Sequence, residues 1–172
     1  MARLRKFSAY QKVERPYTRA SKFKKKNFVR AVPNRNVVRY DMGNPKGTFD
    51  TTLRLIANKD IQIRHNALES ARMTSNRYLE ANLGKPAYHL KIKVFPFHIL
   101  RENPLAAGAG ADRMSTGMKK SFGKPIGTAA QTSVDQTIFE VRVNKKNIKA
   151  GKLALKRASY KLPCSCRIIE AA

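Results

Sequence analysis

The amino-acid sequence predicts an α+β fold, a compact sandwich in which a mainly antiparallel sheet carries two helices on one face. Three observations lead to this prediction. Several short stretches alternate apolar and polar residues, two longer stretches repeat apolar residues every three to four positions, and segments rich in Gly, Pro and Asn separate them. The 172 residues, 42% of them hydrophobic, are enough for one domain with a core of its own.

The first segment, residues 1–34, is basic and contains many aromatic side chains. Residues 1–46 include 14 Lys and Arg but 2 Asp and Glu. No helical or strand period persists there, and Pro16 and Pro33 favour extended backbone in the residues before them. We therefore expect an extended arm over 1–34 that does not fold by itself, followed by a single domain over 35–172.

Strand patterns follow the arm. Residues 36–58, "NVVRYDMGNPKGTFDTTLRLIAN", are typical of two strands around a turn. Residues 88–94 alternate Tyr, Leu, Ile and Val with His and Lys, which predicts a half-buried strand with a basic outer face. Residues 136–143, "QTIFEVRV", and residues 166–170, "CRIIE", predict two further strands.

Two stretches show helical spacing. In residues 63–86 apolar side chains recur at the interval of one buried helix face, and Gly84 and Pro86 mark the end. Residues 146–163 repeat the pattern, although Gly151 weakens this helix by about 1 kcal/mol relative to Ala.

Residues 102–126 match neither pattern. They include "AGAGADRMSTGMKKSFGKP", which is small, glycine-spaced and basic. A loop of more than about 15 residues inside a compact domain is usually functional or disordered. We therefore expect a long mobile internal loop over 102–126.

The charge balance indicates a polyanionic partner. The chain carries 36 Lys and Arg against 11 Asp and Glu, a formal net charge of +25. Nucleic acid is the favoured partner, because each phosphate contact also releases counterions. No apolar run approaches the roughly 20 residues of a spanning helix, and no signal-peptide core follows Met1, so we expect no membrane association. RNA would then order the arm, with Arg and Lys meeting phosphates and aromatic rings packing on sugars, bases or the domain.

The sequence offers no evident catalytic machinery. "GMKKSFGKP" is similar to a phosphate-binding loop, but five residues separate Gly117 from Gly123, and Pro125 stands where a hydroxyl is needed. The carboxylates are scattered. Cys164 and Cys166 would strain a mutual disulfide and lack partners for a zinc site, so we expect two reduced structural thiols. We expect neither an enzyme nor a metal or other cofactor.

Several motifs resemble the family of large-subunit ribosomal protein ten-e, the archaeal and eukaryotic form of bacterial large-subunit protein sixteen. The resemblance covers nearly the whole chain, and its "DMGNPKG" form is similar to the archaeal branch. In "MKKSFGKP", Lys119, Lys120 and Ser121 replace the Arg-Gly-Ala of many relatives, and Lys93 in "KVFP" replaces an arginine of the bacterial form. The motifs are "RPYTR" (15–19), "FVRAVPNRNVVRYDMGNPKG" (28–47), "IRHNALESARMTSNRYL" (63–79), "GAGADRMSTGMKKSFGKPIGTAA" (108–130) and "LKRASYKLPCSCRI" (155–168).

The resemblance implies a structural constituent of the large subunit, with a hammerhead-like β motif, in the cytoplasmic ribosome. It implies binding of ribosomal RNA near the tRNA entry site and support of tRNA positioning at the peptidyl-transferase centre. The partners implied are large-subunit ribosomal RNA, tRNA and neighbouring large-subunit proteins, and no homo-oligomer is expected. The alternative is a free single-stranded-RNA-binding translation factor or RNA chaperone.

Two sets of candidate residues follow from the charge pattern and the resemblance. For ribosomal RNA they are Arg3, Arg5, Lys6, Arg15, Tyr17, Arg19, Lys22, Lys24, Lys25, Lys26, Arg30, Arg35, Arg64, His65 and Asn66. For the loop that faces tRNA and the catalytic centre they are Arg113, Met114, Met118, Lys119, Lys120, Phe122 and Lys124.

Overall fold

The computed structural model describes residues 5–18, 21–29, 31–103 and 123–171. These residues form two helices and two antiparallel sheets, which confirms the predicted α+β class. None of the described helices combines the length and the apolarity that crossing a membrane requires. The elements are β1 (Asp41–Gly43), β2 (Thr51–Ala57), β3 (Ile61–Arg64), α1 (His65–Leu83), β4 (Tyr88–Ile92), β5 (His98–Glu102), β6 (Lys124–Thr132), β7 (Thr137–Val143), α2 (Ile148–Ser159) and β8 (Cys166–Ala171).

The strands divide between two sheets, where the sequence predicted one. The five-stranded sheet has the order β1-β4-β7-β2-β8 and the three-stranded sheet the order β3-β6-β5. Pro96 lies between β4 and β5, and because proline has no N–H to donate it interrupts the ladder there. The two strands join different sheets, although they are close in sequence: β4 pairs with β7, and β5 pairs with β6.

The core is continuous between the sheets and the helices. Leu53, Val141 and Leu90 lie opposite one another on β2, β7 and β4, and all three are buried on the face that α2 covers. Gly151 permits the close approach of α2, since a Cβ on this residue would lie 2.6 Å from Cδ1 of Leu53. Helix α1 packs against α2 and contacts strands of both sheets.

Helix α1 has the buried face that the sequence predicted. Leu68, Ala71, Ser75 and Leu79 are buried at the expected spacing. The hydroxyl of Ser75 donates a 2.8 Å hydrogen bond to the carbonyl oxygen of Ala71, so its burial leaves no polar group unpaired. The helix ends at Gly84 with φ 77°, as the sequence also predicted.

Strand β6 was not predicted, and it changes the boundaries of the internal loop. Residues 124–126 of the predicted loop belong to β6, and Glu102 belongs to β5. The strand was missed because its buried residues are small, among them Gly127 and Ala130. A Cβ on Gly127 would lie 3.2 Å from Nε2 of His65, so a larger residue here would press on the His65 ring.

Candidate nucleic-acid interface

The arm lies across the three-stranded sheet and is held there by its backbone. The N–H of Gln62 on β3 donates to the carbonyl oxygen of Gln11 at 3.4 Å, and the N–H of Ile99 on β5 donates to that of Tyr17 at 3.1 Å. Val29 is buried. The sequence predicted an arm that is ordered by RNA; the structure already gives it a fixed path on the domain.

Tyr17 is the best-anchored residue of this path. Its N–H donates to Nδ1 of His98 at 2.9 Å, its hydroxyl donates to the carbonyl oxygen of Phe28 at 3.2 Å, and the guanidinium of Arg101 lies 4.2 Å from its ring centre. Burial lowers the pKa of His98, with Arg101 acting in the same direction and Glu14 opposing it. His98 is therefore neutral at pH 7, and its Nδ1 is free to accept the Tyr17 N–H.

Arg64, the residue before α1, also anchors the arm. Its Nη2 donates to the carbonyl oxygen of Arg5 at 2.8 Å, and its guanidinium lies 4.8 Å from the ring centre of Tyr10. Burial lowers the pKa of Arg64, with Tyr10 opposing that effect, and its Nε is buried with no hydrogen-bond partner among the described residues. These contacts give Arg64 a structural role; its predicted role toward RNA stays a prediction.

The start of α1 brings several predicted residues together around a small cavity. Nδ1 of His65 accepts the N–H of Asn36 at 3.2 Å, and burial lowers the pKa of His65, so the ring is neutral at pH 7. The positive end of the α1 dipole adds to the cationic side chains there. The cavity, of about 260 Å³, is lined by Arg5, Phe7, Arg64, Asn66, Ala67, Lys161, Leu162 and Pro163.

Most of the described candidate cations are exposed, although Arg5 also pairs with Glu102 of β5, whose carboxylate lies 3.3 Å from its Nε. Phe23 is 60% exposed, and the Nζ atoms of Lys22 and Lys26 lie 5.4 and 5.9 Å from its ring centre. The guanidinium of Arg35 lies 4.9 Å from the ring centre of Phe95. The exposed candidates are Arg5, Lys6, Arg15, Lys22, Lys24, Lys25, Lys26 and Arg35.

The other candidates lie outside the described residues, apart from Lys124. That residue is exposed at the start of β6, opposite Glu102 of β5. The candidates outside the described residues are Arg3, Arg19, Arg30, Arg113, Met114, Met118, Lys119, Lys120 and Phe122.

Sequence reasoning missed a second group of cations, on the face of the five-stranded sheet that the helices leave open. Arg54, Lys93 and Arg142 surround the carboxylate of Glu140 there. The alternation of residues 88–94 did predict a basic outer face. The convergence on Glu140 depends on the register of three strands, which no local pattern shows.

The two cysteines form a close pair of thiols. Their Sγ atoms lie 3.5 Å apart, and both residues are free and half-buried. The hydrogen bond between them lowers the pKa of Cys164 and raises the pKa of Cys166. Burial raises the pKa of Cys166 further. Within the described ranges, no group of three or more His, Cys, Asp or Glu is placed to hold a metal ion.

Comparison with known proteins agrees with this architecture. Residues 14–169 match the family model described as ribosomal protein L16p/L10e. A protein named large ribosomal subunit protein uL16 from Methanococcus maripaludis is 48% identical over 167 residues, which cover 96% of this chain and 93% of the relative. Its namesake from Staphylothermus marinus is 46% identical over 154 residues, covering 90% and 85%.

These matches define the class of the molecule as a structural protein of the large ribosomal subunit, in the cytoplasmic ribosome, rather than an enzyme. The chain belongs to the ribosomal protein L16p/L10e family. The resemblance drawn from the motifs is thereby confirmed, including its archaeal character. Membership also favours a ribosomal constituent over the free RNA-binding factor that the sequence left open.

Proposed function

We propose that this protein binds large-subunit ribosomal RNA near the tRNA entry site through its arm and the start of α1. In the same proposal, the internal loop supports the positioning of tRNA at the peptidyl-transferase centre. Family membership and the net charge of +25 support RNA as the main partner. Neighbouring large-subunit proteins are further partners.

The way in which the arm is attached carries the proposal. The domain holds the arm mostly through the arm's backbone groups; Nε2 of Gln131, for example, donates to the carbonyl oxygen of Glu14 at 2.7 Å. Lys24, Lys25 and Lys26 take no part in that attachment and remain exposed. The arm thus presents cations along a path that is already set, which lowers the entropy cost of binding an extended phosphate backbone.

The base of the internal loop supports the second half of the proposal. Glu102 and Lys124 are paired across the β5–β6 ladder, so the two ends of the segment 103–123 leave the sheet side by side. In this proposal, Arg113, Lys119 and Lys120 of the segment are the residues that act. Those side chains would then be available to tRNA and to the catalytic RNA.

The first experiment measures how the affinity for protein-free large-subunit ribosomal RNA depends on salt. If six to ten cations contact phosphates, the wild-type affinity falls roughly 10³- to 10⁵-fold between about 50 and 200 mM salt. Replacing Lys24, Lys25 and Lys26 together by Gln should reduce the slope of log affinity against log salt by about 2–3.

The control removes the same charge elsewhere. Lys145, Lys146 and Lys149, which are exposed near the start of α2, are replaced by Gln in a matched triple variant. That variant should keep a slope close to that of the wild type. An equal loss of slope in both variants would show that binding follows net charge alone and would refute the role of the arm.

A further inference from the structure

The open face of the five-stranded sheet has an ordered arrangement of charges. Asp41, Lys91, Glu140 and Arg54 lie opposite one another across β1, β4, β7 and β2. Residues that are directly opposed in antiparallel strands point to the same side of the sheet. The row therefore runs across four of the five strands, on the side away from α2.

Glu140 is the centre of this arrangement. Its side chain is 4% exposed, whereas those of Arg54, Lys93 and Arg142 are 47%, 41% and 44% exposed. The distances to the Glu140 carboxylate are 3.8 Å from Nε of Arg54, 3.8 Å from Nζ of Lys93 and 2.9 Å from Nη2 of Arg142. The cations cover the carboxylate, and the carboxylate in turn draws them together.

The charges in this cluster do not balance. One carboxylate faces three cations, which leaves a local surplus of two positive charges. The neighbouring Lys91 does not add to the surplus, because its Nζ lies 3.5 Å from the carboxylate of Asp41. An anion that approaches the exposed sides of these three cations would offset their mutual repulsion.

The composition of this face distinguishes between the possible anions. The exposed side chains that β4, β7 and β2 place there belong to Lys91, Arg142 and Arg54, while Ile169, 38% exposed, lies at the edge on β8. Protein interfaces are enriched in aromatic residues and depleted of Lys, whereas nucleic-acid interfaces are polar and positively charged. A nucleic-acid backbone fits this face better than an acidic protein segment.

We propose that the open face of the five-stranded sheet is a second RNA-binding surface, on which Arg54, Lys93 and Arg142, positioned by Glu140, hold the phosphates of an RNA backbone. This inference rests on the proposed function, to which it adds a site separate from the arm. The arm lies on the three-stranded sheet, so the protein would contact RNA through both of its sheets.

The test needs a variant that removes the surplus charge without leaving Glu140 buried and unpaired. Arg54→Gln, Lys93→Gln and Arg142→Gln are therefore combined with Glu140→Gln, which lowers the net charge by two. A matched control, Lys59→Gln with Lys145→Gln, removes two charges from exposed turns. Thermal unfolding followed by circular dichroism establishes that both variants are folded before RNA is added.

Binding of full-length protein to protein-free large-subunit ribosomal RNA is then measured across a salt series. The net surplus of two charges on this face would neutralise two phosphates, so we expect the slope of log affinity against log salt to fall by about 1.4–1.8 in the quadruple variant and to stay near wild type in the control. A quadruple variant with the slope of the control overturns the inference. The inference is also overturned if the quadruple variant binds RNA as the wild type does but no longer binds polyglutamate. That result would assign the face to an acidic protein segment.

The same measurements separate this inference from the proposed function. If the wild-type protein binds RNA with a flat salt dependence, the proposed electrostatic function fails. If instead the wild type shows a steep dependence that the arm variant reduces and the sheet variant does not, the proposed function stands and the second surface is refuted.

Discussion

The backbone N–H of Tyr17 donates a 2.9 Å hydrogen bond to Nδ1 of His98, and this bond joins the arm to β5 through a group that can be protonated. Nδ1 accepts the bond only while the imidazole is neutral, since both ring nitrogens of a charged imidazole carry protons. The attachment of the arm is therefore linked to pH.

The first prediction concerns acid. Burial lowers the pKa of His98 below its usual 6.5, so the unfolded protein binds this proton more readily than the folded one. The stability that neutral His98 contributes is fully present above about pH 6.5 and is lost as the pH falls from there to the folded-state pKa. His65 acts in the same direction. The unfolding midpoint should drop between about pH 7.5 and 5.5, a range above the usual titration of Glu14.

His98→Gln provides the control for this prediction, because glutamine keeps a neutral acceptor. The variant should retain the weaker pH dependence that comes from His65. Amide exchange at Tyr17 gives a local measurement, and in the wild type it should accelerate at acid pH beyond its intrinsic trend. Equal pH dependence of wild type and variant would contradict the prediction.

The second prediction compares two glycines with positive φ. Gly43 has φ 84°, and a Cβ there would lie 2.2 Å from the carbonyl oxygen of Tyr88; Gly84 has φ 77°, and a Cβ there would make only an ordinary 3.8 Å contact with Cδ of Pro86. Gly84→Ala should cost about 1–3 kcal/mol from backbone strain alone. Gly43→Ala should cost a further 1–3 kcal/mol or so, because the methyl group collides with backbone. Urea unfolding measures both, and equal losses would refute the steric argument.

A third prediction concerns the contact between α2 and β2. Gly151→Ala gains about 1 kcal/mol of helix propensity, but its Cβ would lie 2.6 Å from Cδ1 of the buried Leu53, and overpacking costs about 1–3 kcal/mol. The single variant should be destabilised. In a Leu53→Val background, where the δ-methyl groups are absent, the same change should become stabilising. A double-mutant cycle in urea checks this, and simple additivity would contradict it.

The fourth prediction separates the internal loop from the core. Residues 107–122 are replaced by a short Gly/Ser linker, with the pairing of Glu102 and Lys124 left intact. Stability and ribosomal RNA binding should change little, since loop length affects closure entropy weakly. Subunits that contain the variant should bind tRNA poorly. Normal translation would make the segment a passive insertion, and failure to enter subunits would make it an element of assembly.

The sequence predicted those parts of the fold in which side-chain periodicity reports burial. The alternation around Phe139 and the spacing of Leu68 and Leu79 gave β7 and α1, although Ile63 and Arg64, predicted as helix, belong to β3. Strand β6 was missed because its four consecutive buried residues, 127–130, include no large apolar side chain and do not alternate with exposed ones. Its partners β3 and β5 are distant in sequence, so no local pattern indicates the pairing.

The candidate interface was predictable in part, for a related reason. Charge density predicts an RNA-binding arm, which stays a prediction; Lys24, Lys25 and Lys26 of this segment are exposed. The path of the arm was not predictable, because backbone carbonyl groups such as that of Gln11 make its attachments and every residue type has one. The cluster around Glu140 was not predictable either, since it arises from long-range register.

The position of the arm also affects how the protein behaves before RNA is bound, in particular its tendency to aggregate. The three-stranded sheet has two edges, β3 and β5, and an unpaired edge is a template on which other chains aggregate. Gln62 and Ile99 each direct a backbone N–H outward from one of these edges, and carbonyl groups of the arm occupy both. The arm thus protects the free protein against edge-to-edge association. A truncated chain without the arm would precipitate more readily in the absence of RNA.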